Sequence, residues 1–250
     1  MKKLLALILV PCLLLGSMLM LSGCSRRVSY ENEEMYSVGA FASDEKIRAV
    51  EIYWDGRGVS VSAAFTDKIT AVEDYEKSNG KAMRCAVEDG VLKIYPCASG
   101  KRVGKLAKTL FVDIPVEIMN SLSSVKICAV EDTKVNLQMV NAAEVSVVAQ
   151  DGNVSIEGSM TKVTVETEKG NLNLKSATVG DLDFTSIIGN ANLYLHLQGF
   201  TAVMRGETGS FTTSYNVSEN NRLYTYATGE ALLTFTTEGK VDLRDYDIAG

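Results

Sequence analysis

The chain has 250 residues, with 25 Lys plus Arg against 31 Asp plus Glu, a single histidine and five cysteines. A net charge of -6 argues against a general nucleic-acid binder, which needs a positive face to neutralise phosphates, and one imidazole excludes a zinc site built on several. The length suits one large or two small domains with a sizeable core.

The first readable element is the amino terminus. Lys2 and Lys3 lead into an apolar run from Leu4 to Leu21, interrupted by Pro11, Gly16 and Ser17, and then into Leu21-Ser22-Gly23-Cys24. A basic start, an apolar middle and small residues before a cut describe an export signal over residues 1–23. The alternative is an uncleaved anchor helix, since the run approaches the length that spans a bilayer. Leu-Ser-Gly-Cys in this position resembles the bacterial lipobox, which implies a diacylglycerol on the Cys24 thiol, cleavage before it, and acylation of the new amino group. At about 0.8 kcal/mol per buried methylene, such chains hold a folded domain at a membrane surface without a spanning helix. The expected location is therefore extracytoplasmic, anchored to a bacterial membrane by lipid. Loss of Lys2 and Lys3 with the signal leaves a net charge of -8 on the mature chain. Residues 24–46, polar and acidic (Arg26, Arg27, Glu31, Glu33, Glu34, Asp44, Glu45), read as a tether.

From Ile47 onward apolar and polar residues alternate, which predicts an all-β protein. In the N-terminal region, 47–115, Val50, Ile52 and Trp54 followed by Val59 and Val61 predict a hairpin turned by Asp55-Gly56-Arg57-Gly58. A strand over 69–72 follows, then a second hairpin over 82–95 turned at Asp89-Gly90, with Cys85 opposite Ile94. Thr109 to Pro115 is a further strand, closed by a proline that has no donor for a ladder. Cys85, Cys97 and Cys128 are odd in number, and the hairpin register displaces Cys85 from Cys97, so no structural disulfide is predicted among them.

The region 116–250 is repetitive. Apolar pairs recur every nine or ten residues, at Val145/Val147, Val154/Ile156, Val163/Val165, Leu172/Leu174 and Leu182/Phe184, and less cleanly at Ala202/Met204, Leu233/Phe235 and Val241/Leu243. Gly152-Asn153, Gly170-Asn171 and Gly189-Asn190 precede every second strand, and Gly209-Ser210 extends the series. Two short strands and two turns per unit predict a β-solenoid, parallel β-helix-like, with Val and Leu inside and Ser146, Ser155, Thr164 and Asn173 outside. An antiparallel β-sandwich or meander is the alternative. The corner glycines are expected to supply positive φ, which asparagine tolerates next best. Exposed end strands recruit other chains. The hairpins at 47–95 are expected to cover one end, and Asp242, Arg244, Asp245 and Asp247 to put charge on the other. Tyr215 to Gly229 breaks the period.

Laid out this way, Trp54 with Gly58-Val59-Ser60-Val61, Val91-Leu92-Lys93-Ile94, Leu110-Phe111-Val112-Asp113-Ile114-Pro115 and the strand–glycine–strand repeat resemble the bacterial β-strand-repeat domains of unknown function labelled "putative adhesins". The likeness runs from about Ile47 to Leu243. Asp151-Gly152-Asn153 and Lys169-Gly170-Asn171 depart slightly from that family's Ser-Gly-Asp or Ser-Gly-Asn turn. It implies the fold and brings no catalytic residues.

Several residues are candidates for chemistry. His196, in Leu193-Tyr194-Leu195-His196-Leu197, is the one possible imidazole base and points away from the leucines. Asp151, Gly152 and Asn153 could offer oxygens to calcium, but turn chemistry explains them without it. Lys101, Arg102, Lys105 and Lys108 put four cations between two strands, a possible binding face for anionic wall polymer or lipid headgroups. Phe211, Tyr215, Tyr224, Tyr226, Phe235 and Tyr246 could stack on sugars or fill the core. Glu131/Asp132 and Glu166/Glu168 supply the paired carboxylates that glycoside hydrolysis requires, with no supporting motif. The reading that results is a non-enzymatic, lipid-anchored adhesion or envelope-binding module, with no cofactor and no metal. Its partners would be the membrane, through the anchor, and an envelope polymer or protein. An external partner of a membrane signalling system, or a polysaccharide-acting enzyme, are the alternatives.

Overall fold

A computed structural model describes residues 28–74, 81–101 and 108–246. The predicted signal, Cys24, Arg102, Lys105 and Asp247 lie outside them. Strict alternation builds the fold: in Ala191–Leu195 every second side chain is buried and Asn192 and Tyr194 are exposed. The same rule runs through most of the nineteen strands described, the exposed Ser37–Val38 and Ser218–Asn220 aside, accompanied among the described residues by a 3-10 turn at Glu33–Met35 and a four-residue helix at Val116–Met119. The protein is all-β.

The strands are β1 (Ser37–Val38), β2 (Phe41–Ser43), β3 (Ala49–Asp55), β4 (Gly58–Ala64), β5 (Ile69–Asp74), β6 (Arg84–Glu88), β7 (Val91–Tyr95), β8 (Thr109–Pro115), β9 (Leu122–Val130) and β10 (Lys134–Ala149). They continue with β11 (Val154–Thr167), β12 (Leu172–Ser186), β13 (Ala191–Leu195), β14 (Phe200–Met204), β15 (Ser210–Thr213), β16 (Ser218–Asn220), β17 (Leu223–Tyr226), β18 (Ala231–Thr236) and β19 (Lys240–Asp245). All belong to one extended sheet.

Pairing through the repeats is parallel and sets like residues side by side. Val145 lies opposite Val163, and Val163 opposite Leu182; Val154 lies opposite Leu172, and Leu172 opposite Ala191. The 18- and 19-residue offsets are those of the Gly-Asn series. β10, β11 and β12 are long enough to serve two tiers each, and the register shift between Leu137 and Val140, where Met139 takes φ 53°, is where β10 changes tier. The apolar rows merge into one core running from Ile47 to Leu243.

The order of tiers departs from the order of the sequence at both ends. Leu233 of β18 lies between Leu182 and Ala202, opposite both, although Ala202 follows Leu182 in the periodic series; Val241 of β19 likewise lies between Ala191 and Phe211. At the other end, β3 pairs in parallel with β7 and β9, and β4 with β8 and β10. The predicted hairpin over Val50–Val61 is therefore not formed, because both edges of β3 and β4 are taken by other partners. Asp55-Gly56-Arg57-Gly58 makes a corner instead, with Gly56 so close that an added Cβ would lie 2.5 Å from the Lys108 carbonyl and 2.8 Å from the Trp54 indole nitrogen. Eight tiers result, in spatial order β7/β8, β3/β4, β9/β10, β10/β11, β11/β12, β12/β13, β18/β19 and β14/β15.

Antiparallel strands close the ends. β6 pairs with β7 with Cys85 opposite Ile94, as the sequence predicts, and Asp89 and Gly90 both have positive φ, as a two-residue hairpin turn requires. β5 pairs with β8, and β1 and β2 extend this cap along β6 and β5. The cap is thus made by strands 69–74 and 84–88, while 49–64 is an interior tier. At the far end β17 pairs with β14 and β16 with β17, so Tyr215–Gly229 supplies a capping hairpin. Asp242, Arg244 and Asp245 belong to β19, which is paired on both sides, and do not guard an edge.

The stretch read as a tether is docked from Val28 on. Val28 N donates to Lys101 O at 3.2 Å, Gly100 N donates to Val28 O at 2.8 Å, and the Tyr30 ring stacks on Tyr95 at 4.1 Å. Val28, Tyr30 and Tyr36 carry this contact, and their aromatic and β-branched surface outweighs the acidic composition around them.

Candidate binding faces

The Gly-Asn corners form a column. An added Cβ at Gly170 would lie 2.1 Å from Gly152 O, at Gly189 2.1 Å from Gly170 O, and at Gly239 2.3 Å from Gly189 O. None of these glycines has positive φ. The expectation that they supply a left-handed turn is corrected: glycine is required because successive corners touch backbone to backbone. Outside the glycines the asparagines hydrogen-bond in series. Asn153 Oδ1 accepts from Asn171 N (3.0 Å) and Nδ2 (3.2 Å), Asn171 Oδ1 accepts from Asn190 N (2.9 Å) and Nδ2 (3.1 Å), and Asn190 Oδ1 accepts from Lys240 N at 2.7 Å. Inside them hydroxyls satisfy buried carbonyls, Thr167 Oγ1 donating to Gly170 O and Thr237 Oγ1 to Gly189 O.

This ladder borders a long polar face. Registers place Ser60, Asn136, Ser155, Asn173, Asn192, Asp242 and Thr212 in one row across seven tiers. Alternation turns this row outward, because from Ser60 to Asp242 the residues flanking each member are core, and Thr212 at its end is exposed beside half-buried Phe211. Asn192 Nδ2 donates to Asn173 Oδ1 at 3.0 Å. A parallel row runs Glu157, Lys175, Tyr194, Arg244, with Lys175 3.2 Å from Glu157 and 5.0 Å from the Tyr246 ring. Donors and acceptors thus repeat at the strand spacing of about 4.8 Å.

Of the four predicted cations, Lys101 and Lys108 are among the described residues, and their surroundings differ. Lys101 is exposed, whereas Lys108 is fully buried, its Nζ donating to Glu73 Oε2 at 2.7 Å, to Lys81 O at 2.9 Å and to Pro96 O, above the Trp54 ring at 4.8 Å. Burial pulls the Lys108 pKa down and the Glu73 carboxylate pushes it back up. Its physical role is to pin the chain around Glu73, Lys81 and Pro96 to the start of β8, over Trp54 of the second tier.

His196 is half-exposed, Nδ1 3.2 Å from Asp245 Oδ1 and Nε2 3.1 Å from Gln198 Nε2. Tyr215 Oη donates to the same Asp245 oxygen at 3.1 Å, and its pKa is pushed up to about 12, chiefly by burial. The imidazole opens onto an open groove of about 840 Å³ along one corner of the stack, lined by Asn141, Ser159, Thr178 and Gln198. Glu166 and Glu168 line a smaller pocket of about 390 Å³ with Arg205 and Ile187. Burial, then the neighbouring Asp183 carboxylate, raise the Glu166 pKa. Glu131 and Asp132 line a separate groove with Arg57 and Phe111. Among the described residues no group of three or more His, Cys, Asp or Glu could hold a metal ion. At the corner considered for calcium, the Asn153 oxygen is already engaged by Asn171.

The carboxyl-terminal aromatics fill the cap. Phe211 lies 4.5 Å from Tyr224 and 6.1 Å from Phe235, and Tyr215 sits edge-on to Phe200 at 5.3 Å. Cys85 and Cys97 are buried and Cys128 half-buried, and burial pushes the Cys85 thiol up to about 12. Sequence reasoning missed the Tyr30–Tyr36–Tyr95 cluster; its signal was three tyrosines in otherwise polar or short apolar segments.

No protein-family model matches the sequence, and no curated protein does. Among solved structures, the chain is similar to one described as a "putative cell adhesion protein" from Clostridium sporogenes, at 10% identity and a TM-score of 0.42 over 84% of this chain and 100% of that one. It is also similar to one described as a "putative adhesin" from Bacteroides fragilis, at 11% identity and a TM-score of 0.43 over 84% of this chain and 97% of that one.

Proposed function

We propose that the chain is a lipid-anchored, extracytoplasmic β-solenoid that binds an extended polymer of the cell envelope along its ladder face, without catalysing a reaction. The parallel registers support the solenoid, and the lipobox-like Leu21-Ser22-Gly23-Cys24 supports the anchor. The observation that carries the binding reading is the row from Ser60 to Thr212 beside the asparagine ladder, a flat array of hydrogen-bonding groups at constant pitch. Such an array matches a ligand that itself repeats, such as a glycan, and a solvated polar face gives up less water structure to hydroxyl groups than to apolar ones. Binding of the processed protein to isolated envelope glycan tests this. Asn173→Glu with Tyr194→Ala, both outward, are expected to reduce affinity about tenfold or more, equivalent to about 1.4 kcal/mol, while leaving the circular dichroism spectrum unchanged. Equal binding by wild type and variant, or no binding to any envelope polymer, overturns the reading. A second reading, action on polysaccharide, rests on Glu166 and Glu168 lining the smaller pocket; it predicts release of reducing ends that Glu166→Gln abolishes.

A further inference from the structure

Val28 is 3% exposed and held on both sides of its peptide by Gly100 and Lys101. Tyr30 adds two bonds with Ser99, its amide donating to the Ser99 hydroxyl at 3.1 Å and its carbonyl accepting from it at 2.8 Å. The chain then runs into β1 and β2, the outermost strands of this end. Only Ser25, Arg26 and Arg27 separate Cys24 from this docked start, and four Cα steps span at most about 14 Å.

We propose that the end of the stack carrying β1 and β2 faces the bilayer, with the β16–β17 hairpin directed away from it. This rests on the anchored reading. With acyl chains on Cys24, the docked start cannot leave the headgroup layer by more than the reach of that short link. The surface around it suits shallow contact with lipid: Met35 is 60% and Val38 64% exposed, and Lys101 is exposed beside Val28. Glu31 and Glu34, also exposed, oppose deeper spreading over anionic headgroups. Along the middle tiers the two long faces are largely polar. One carries Ser146, Thr164 and Asp183 in a row, and the other Asn173, Asn192 and Asp242. Seven spacings then set the eighth tier about 34 Å from the first, with the caps beyond both, so the ladder face projects outward where a polymer can lie along it.

The test uses the full chain with Cys128→Ser and either Val38→Cys or Asn220→Cys. Each variant is labelled with a fluorophore and reconstituted into phosphatidylcholine–phosphatidylglycerol vesicles carrying a lipid-borne quencher. The mass of the amino-terminal peptide is read on the same samples. Loss of most emission from the Val38 label with none from the Asn220 label, on protein whose Cys24 peptide carries the lipid mass, is the expected result. Equal quenching of the two labels on lipidated protein, whether strong or absent, overturns the orientation and leaves the anchor standing. A Cys24 peptide without lipid overturns the anchor, and the orientation with it.

Discussion

Replacing Gly170 separates two explanations of the corner column. If the corner required a left-handed backbone, asparagine would be tolerated there and alanine would cost about 1–2 kcal/mol. The structure gives a different reason: a Cβ on Gly170 would lie 2.1 Å from Gly152 O, 2.9 Å from its carbon and 3.3 Å from Thr167 Cγ2. Ordinary contact begins about 1.3 Å further out, so the tier must move away from its neighbour. The two bonds from Asn171 to Asn153 and the Thr167 hydroxyl bond to Gly170 O lie at the point of displacement. At about 1 kcal/mol each, their loss alone amounts to about 3 kcal/mol before strain. For a chain of this size that is a fall in Tm of about 6–12 °C, read by thermal circular dichroism on the processed protein. Gly170→Ala and Gly170→Asn are expected to be destabilised alike. Gly100 is the control, with φ 73° and nothing within 4 Å of an added Cβ. There alanine should cost only the backbone term and asparagine less. A Gly170→Asn protein melting within about 2 °C of wild type, with Gly170→Ala clearly lower, would refute the close-approach argument and restore the left-handed one.

Three further outcomes follow from the same geometry. Lys108→Ala, which leaves Glu73 facing a dry pocket, is expected to lose about 3–5 kcal/mol in urea unfolding, and Lys108→Met with Glu73→Gln should recover part of it; a double variant no more stable than the single contradicts the pairing. Because the folded-state pKa of Glu166 is raised, the native state holds its proton more tightly than the unfolded chain does. Stability linked to this group is therefore present at acid pH and falls as pH rises above the ordinary carboxylate range of about 4.3. Glu166→Gln should flatten that decline in a pH series of unfolding midpoints, and an unchanged slope contradicts it. Iodoacetamide should modify half-exposed Cys128 well before Cys85, whose thiol is nearly all protonated at neutral pH; comparable rates by peptide mass would count against the burial of Cys85.

What the sequence made legible was local. Alternation set the strands and their inward faces, the Gly-Asn spacing set which residues stand side by side, and Asp89-Gly90 set the one hairpin that forms among those predicted. Order in space was not legible. Val50–Val61 has the pattern of a hairpin and forms a corner, because whether two adjacent strands pair depends on the partners available to each edge, here β7, β8, β9 and β10, up to some eighty residues away. The same holds for β18 and β19. Their apolar pairs match those of β14 and β15, so periodicity ranks the two sets equally, and only packing places Leu233 and Val241 in the interior. Lys108 was unreadable for another reason: four cations in eight residues look solvated until Glu73, distant in sequence, supplies a buried carboxylate. The candidate face was half legible, since the asparagines were predicted as turn residues and their bonding to one another depends on register.

The central claim is that the repeats stack in parallel register with the β18–β19 pair slotted between β12/β13 and β14/β15. Paired cysteines test it most directly, because a disulfide needs Cα atoms about 4.4–6.8 Å apart. Asn192 and Asp242 are opposed on adjacent strands, and Asn192 and Thr212 are separated by the strand between them. Asn192→Cys/Asp242→Cys should oxidise to an intramolecular bridge, seen as a two-dalton mass loss and a linked peptide, while Asn192→Cys/Thr212→Cys should remain reduced. Bridging of the second pair and not the first would mean that the tiers follow the order of the sequence, and would contradict the account.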